Sequence, residues 1–169
     1  MVAQAVSAVA LVLLVASGWA KLVDPDPTRG AMKAARLPSS RLVSRVLGLT
    51  EIVAAIAGLA LGTKWLALAA LLYLGFAVFT TAAVRRRLPI QSCGCFGRAD
   101  TPPTNIHVTF NIVATVALAY LAIATRQVMP WEGPPLELAL YLSFSLIGAY
   151  LAYLVLSQLP RTLHLTNTR

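Results

Sequence analysis

Five long stretches of almost uninterrupted apolar residues limit what this chain of 169 residues can fold into. A helix needs about 20 apolar residues to cross the roughly 30 Å hydrocarbon layer of a bilayer. Because lipid cannot satisfy backbone hydrogen bonds, such a stretch must satisfy them internally, as a helix does. The pattern therefore predicts five transmembrane helices, at residues 3–22, 42–61, 65–84, 108–124 and 136–159.

Charged residues are scarce and fall between these stretches. They make up 12% of the chain, against about 25% in an ordinary soluble domain. Little sequence remains for a separate soluble unit, so residues 1–169 are expected to form a single integral membrane domain. The predicted fold class is all-α, a polytopic bundle of transmembrane helices. No basic residue precedes the first stretch, and it is longer than the apolar part of a usual signal peptide, so it is interpreted as a retained span.

The net charge is +8, and the basic residues are distributed unevenly between the two sides of the predicted topology. Twelve of the 14 Lys and Arg residues fall on one side of the predicted topology, and only Lys64 and Arg126 fall on the other. By the positive-inside rule, the N-terminus lies outside and the loop at 85–107 and the C-terminus face the cytoplasm. Basic loops of this kind contact anionic headgroups, and they lack the interleaved aromatics that bind nucleic acid strands. The expected partner is therefore the lipid bilayer, and no nucleic acid.

Both cysteines of the chain, Cys93 and Cys95, lie in the segment QSCGCFGR at 91–98. A disulfide between them needs a bent backbone, which Gly94 permits, and the small strained ring should exchange readily. Basic residues on both sides favour the reactive thiolate form. The same thiolates could instead bind a soft metal ion, with His107 as a third ligand, or they could be bystanders.

Polar residues inside the spans are the other candidate functional groups. Glu51 lies about nine residues into the second span, near the bilayer centre, where an unpaired carboxylate is costly. Lys21 is its candidate partner; alternatively the span begins near Val46, so that Glu51 is shallow and Lys21 only extends to the interface. His107, with Asn111 one turn further on the same face, is a candidate proton donor or ligand, or an ordinary interfacial residue.

The connections also carry predictions. VDPDPTRG at 23–30 is expected to end the first helix and turn the chain. The basic stretch at 31–45 is either a short interfacial helix or a solvated loop. The turn at 61–64 is so short that the second and third spans must be antiparallel neighbours.

Four segments, in this order along the chain, resemble the DoxX-like, MauE-type family of membrane proteins. The resemblance implies a four-helix core, to which the fifth span is added, in the bacterial cytoplasmic (inner) membrane. It also implies a link to thiol–disulfide chemistry, since MauE proper is needed to mature methylamine dehydrogenase, whose small subunit is rich in disulfides. The segments are SGWAKLVDP (17–25), TEIVAAIAG (50–58), SCGCFG (92–97) and the polar start of the fourth span around Asn111.

Three functions follow as alternatives. A thiol–disulfide oxidoreductase would cycle Cys93 and Cys95, exchange with a thioredoxin-like or maturation partner, and pass electrons to a membrane quinone near Glu51, Lys21 and His107. A soft-metal carrier would bind its cargo with the two cysteines and His107. A non-enzymatic subunit of a membrane complex would use the cysteines to fix a loop against its partner. Disulfides persist mainly outside the cytoplasm, whereas the charge count places this pair inside.

Overall fold

A computed structural model describes residues 2–90, 92, 101–123 and 134–166, with side chains described up to residue 158. The predictions for Cys93 and Cys95 lie outside the described residues. The part of the chain that is described forms six helices and contains no strand. The helices are α1 (Val2–Val23), α2 (Asp26–Ala34), α3 (Arg41–Leu61), α4 (Thr63–Arg85), α5 (Asn105–Ile123) and α6 (Pro135–Thr166).

Five of these helices are long and apolar enough to cross a membrane: α1, α3, α4, α5, and α6 as far as Gln158. The predicted all-α class and the five predicted spans are confirmed, with ends that differ by a few residues. The functionally relevant difference is at α5, which begins at Asn105 and not at 108. His107 therefore lies in the first turn of a helix and not in the preceding loop.

Four helices form the core of the bundle. Helix α1 packs against α3 and α5, α4 packs against the same two, and α6 packs against the outside of α1. The core is filled mainly by Ala and Leu side chains, and the small Ala residues let membrane helices approach closely. Across the core, the Tyr73 hydroxyl of α4 donates a hydrogen bond of 2.7 Å to the Ala10 carbonyl of α1. This bond gives the buried Tyr73 hydroxyl a hydrogen-bond partner and holds α4 against α1.

One residue, Gly62, separates α3 from α4. Its φ of 74° and ψ of −136° lie where a side chain would be strained, so a glycine permits the turn. Helices α3 and α4 pack against one another, as the short turn predicted.

The first helix ends at Val23, within the segment predicted to end it, but the rest of the connection between α1 and α3 was not predicted. The chain turns at Asp24 and Pro25, and α2 begins directly afterwards, so most of the segment 23–30 is helical. Proline is tolerated in the first turn of a helix because the backbone N–H that it lacks would have no helical partner there. The short helix that was one alternative for 31–45 is present, but it lies at Asp26–Ala34.

Helix α2 is tied to α3 through Asp26. This carboxylate accepts a hydrogen bond of 2.7 Å from Arg29 and weaker ones, of 3.3 and 3.4 Å, from Arg41 at the start of α3. The bond from Arg29, and then those from Arg41, lower the pKa of Asp26. Ala31 of α2 also packs against Ala83 near the end of α4, and Ser17 near the end of α1 lines a cavity with His107 at the start of α5. The ends of α1 and α4, helix α2 and the starts of α3 and α5 therefore lie at one end of the bundle, called here the basic end.

Candidate functional site

Helices α1 and α3 cross at two glycines. A Cβ atom added to Gly18 would collide with the carbonyl oxygen of Gly48, and one added to Gly48 would lie 2.7 Å from the carbonyl oxygen of Gly18. The two backbones are therefore in direct contact, as at other close crossings of membrane helices. Lys21 and Glu51 each follow one of these glycines by about one turn, so the crossing brings their side chains together.

Lys21 and Glu51 form a buried ion pair. The Lys21 Nζ lies 3.0 Å from each carboxylate oxygen of Glu51, and the two side chains are only 2% and 0% exposed. Nζ also donates a hydrogen bond of 2.6 Å to the Ser17 Oγ, and lies 5.5 Å from the centre of the Phe76 ring. Of the two alternatives from the sequence, the structure contains the paired one. Lys21 does not extend to the interface.

This ion pair is costly to place where it lies. Removing an ion from water costs several kcal/mol, and an apolar pair of similar volume is often as stable or more stable. The pair is therefore not explained by stability alone, and charged residues inside membrane bundles are commonly functional.

His107 caps the N-terminus of α5. Its Nδ1 accepts a hydrogen bond of 3.3 Å from the Thr104 backbone N–H and lies 2.9 Å from the Thr104 Oγ1. The bond from the Thr104 N–H is one half of a capping box, with His in the place of the usual Glu or Gln. Because a backbone N–H can only donate, Nδ1 carries no hydrogen, and the hydrogen of the neutral ring is on Nε2.

That tautomer bears on the two candidate roles of His107. A metal bound at Nε2 needs the ring hydrogen on Nδ1, which would break the cap. A ring that holds a hydrogen on Nε2 can donate it without losing the contact to Thr104. The geometry therefore fits a hydrogen-bond donor at Nε2 better than a metal ligand, and a role of His107 in proton transfer stays a prediction.

A cavity of about 20 Å³ lies between His107 and Ser17, the hydroxyl partner of Lys21. This volume holds about one water molecule. The polar side chains that line it are Ser17, Tyr73, His107 and Asn111. Ser17 belongs to both groups, since it also accepts the hydrogen bond from Lys21. The structure thus brings Lys21 and Glu51 into direct contact and places His107 and Asn111 around a cavity that shares Ser17 with them.

Ser17, Phe76 and the two glycines were not singled out from the sequence. A signal was present, because SGWAK in α1 and LGLTE in α3 both place a glycine three residues before the charged residue. Ser17 precedes Lys21 by one helical turn, on the same face. Phe76 gave no such signal, because its contact depends on how α4 packs.

Metal binding receives no support from the part of the chain that is described. There, no group of three or more His, Cys, Asp or Glu side chains is placed to hold a metal ion. Cys93 and Cys95 are not among the residues covered by that search.

Five apolar helices of spanning length, with a buried ion pair between α1 and α3, define a multi-pass helical membrane protein. A family model described as methylamine utilisation protein MauE matches residues 1–124, which include α1 to α5. The chain belongs to the MauE family, which confirms the MauE part of the resemblance in the sequence. Searches of curated proteins and of solved structures gave no match.

Proposed function

We propose that this protein is a membrane thiol–disulfide redox protein that uses Cys93 and Cys95 to exchange electrons with a thioredoxin-like or maturation-target partner. The observation that carries the proposal is the buried cluster of Lys21, Glu51 and Ser17, which shares a water-sized cavity with His107. The cluster lies toward the basic end, where the connection that contains the cysteines joins α4 to α5. Membership of the MauE family supports the same reading.

The exchange is a transfer of two electrons. One thiolate of the partner attacks the Cys93–Cys95 disulfide, and a mixed disulfide forms. The second partner thiol then displaces the protein's cysteine, so the partner becomes a disulfide and the protein a dithiol. Reoxidation of the dithiol releases two electrons and two protons, which a membrane quinone takes up to become a quinol.

Besides an electron acceptor, this reoxidation needs a route for protons through the apolar bundle. The cluster supplies that route. His107 holds a hydrogen on Nε2, and Ser17 links the cavity beside it to the Lys21 ammonium and the Glu51 carboxylate. Groups of this kind exchange protons through hydrogen bonds and single waters. In this proposal Lys21, Glu51 and His107 handle protons, while Cys93 and Cys95 handle electrons. In this proposal the protein lies in the bacterial cytoplasmic membrane, with its N-terminus outside.

The experiment is a trapping assay with purified protein and reduced thioredoxin as the probe. Wild-type protein should oxidise thioredoxin by one equivalent. The single variants Cys93→Ser and Cys95→Ser should both lose turnover. In one of them, the remaining thiol should form a mixed disulfide with oxidised thioredoxin, and reductant should release it. The double variant, which has no thiol, is the control and should form none.

The possible results separate the alternatives. Full exchange by both single variants would contradict the proposal. A Cys93–Cys95 disulfide that resists mild reductant would indicate a non-enzymatic assembly subunit. Stoichiometric binding of Cu(I) or Zn(II) that is lost with the cysteines, in a protein without exchange activity, would indicate a metal carrier.

A further inference from the structure

A second, larger cavity is lined by Lys21 itself. It has a volume of about 240 Å³ and lies between α2, α3 and α4. Most of its lining is apolar, and the aromatic part comes from Phe76 and Phe79 of α4. Lys21 is the one charged residue of the lining, and the polar part is completed by Thr28 and Thr80.

The cavity opens toward lipid. Its lining includes Leu71, which is 63% exposed, and Gly75, which is also exposed. Both lie within α4, far from its ends at Thr63 and Arg85. An occupant therefore enters from the hydrocarbon layer, between the helices, and must be soluble in lipid.

The chemistry of the lining narrows the occupant further. Two of the three N–H donors of the Lys21 ammonium are used by Ser17 and by Glu51 Oε2, which leaves one for an occupant, and the charge is already balanced by Glu51. An anionic headgroup would add an unbalanced charge to a buried pair, which is unfavourable. The phenyl rings of Phe76 and Phe79 offer flat apolar walls. The best fit is a neutral, flat molecule with a carbonyl acceptor and an apolar tail.

Gly75 supports a cavity that is kept open. It lies inside α4, where glycine is less favourable than alanine. A Cβ added there would meet nothing within 4 Å, so no neighbouring atom requires a glycine at this position. At the two glycines of the α1–α3 crossing, by contrast, an added Cβ would meet backbone. The missing side chain of Gly75 leaves the cavity wall open instead of permitting helix contact.

We propose that this cavity binds the ring of a membrane quinone, with Lys21 donating a hydrogen bond to one of its carbonyl oxygens. The inference rests on the proposed function, which needs an acceptor for electrons from the dithiol. Two thiols give up two electrons and two protons and form one S–S bond. The quinone takes up both electrons and both protons and becomes a quinol. The hydrogen bond from Lys21 would polarise the carbonyl of the neutral quinone, and the two protons that accompany the two electrons keep the quinol neutral beside the balanced ion pair.

The test uses full-length protein in lipid nanodiscs and decylubiquinone as the probe, with protein-free nanodiscs to correct for partitioning. Wild-type protein should bind one equivalent saturably. Gly75→Phe should fill the cavity and weaken binding at least tenfold. Val78→Phe is the matched control on the same helix, because Val78 is 63% exposed and does not line the cavity. Binding that does not saturate, or that is the same in both variants, would overturn the proposal.

A second pair of measurements tests the role of Lys21. Lys21→Gln combined with Glu51→Gln keeps a hydrogen-bonded neutral pair and should weaken quinone binding by roughly tenfold, as expected for the loss of a charged donor. Unchanged binding would overturn the hydrogen bond to Lys21. Exchange with thioredoxin is measured on the same wild-type samples. Thioredoxin exchange without quinone binding would contradict only this inference. Quinone binding without exchange would contradict the proposed function, and the cavity would still be a quinone site.

Discussion

At the scale of single residues, Lys21 and Glu51 depend on each other. Each is a charge that the apolar bundle could not hold alone, and each is almost fully buried. Their other described contacts are a serine hydroxyl and a phenyl ring, which do not replace a counter-charge. The consequence is strong coupling, in which the two side chains are tolerated together or not at all.

This coupling gives the first stability prediction. Lys21→Met leaves the Glu51 carboxylate buried and unpaired, so it should lower the free energy of unfolding by about 3–5 kcal/mol, and Glu51→Leu should do the same for the ammonium. The double variant should recover most of that loss, because two apolar side chains need no counter-charge. Thermal unfolding of the three purified variants in detergent measures the effect. Losses that simply add in the double variant would show that the pair is not coupled.

At the scale of helices, the α1–α3 crossing positions the site. The Gly18 and Gly48 backbones touch, and this contact sets the distance over which Lys21 reaches Glu51. The sequence has the same spacing on both helices, because each glycine is followed about one turn later by a charged residue. The ion pair is therefore a property of the crossing as much as of its two residues.

Gly48→Ala tests this dependence on the crossing. The added Cβ would lie 2.7 Å from the Gly18 carbonyl oxygen and 2.9 Å from the Lys21 Cβ, so the helices must separate. We expect a loss of about 1–3 kcal/mol, as for other overpacked sites. Gly75→Ala is the control, since its Cβ meets nothing, and it should leave stability unchanged or raise it by up to about 1 kcal/mol. Equal thermal unfolding of the two variants would contradict the close crossing.

At the scale of the whole molecule, the parts that were predictable from the sequence are those set by local composition. The length and hydropathy of each span determine its path through lipid, so the five spans were recovered with small errors. Helix α2 was misplaced because a proline-rich segment resembles a turn, although proline also fits the first turn of a helix. The start of α5 was missed because it depends on a cap made by His107, a residue type unusual in that role.

The candidate site divides along the same line. The pairing of Lys21 with Glu51 was predictable because charged residues in apolar spans need partners. The contact with Phe76, the water-sized cavity beside Ser17 and the larger cavity beside Gly75 were not predictable. They arise from the distances and rotations of helices that are far apart in the sequence, and no local pattern encodes these.

The last prediction concerns the orientation of the molecule. Basic residues concentrate at the basic end of the bundle, which carries α2 and the helix ends joined by the cysteine connection. Lys64 lies at the opposite end. The positive-inside rule then places Cys93 and Cys95 on the cytoplasmic side. A membrane-impermeant maleimide, applied with and without prior mild reduction, should label them only after cell lysis. The control is Lys64→Cys in a protein with both native cysteines changed to serine, which should be labelled in intact cells.

The opposite result would be equally specific. Labelling of Cys93 and Cys95 in intact cells, only after mild reduction, would show an outward-facing disulfide and reverse the orientation. The chemistry of the site would then match its compartment, because oxidised pairs persist outside the cytoplasm. The expected result instead assigns the pair to a reducing compartment, where it stays oxidised only if the membrane removes its electrons continuously. Labelling only after lysis would also favour the alternatives of a reduced dithiol donor or a soft-metal site, and under the quinone proposal it would require electrons to leave through the lipid-accessible cavity beside Lys21.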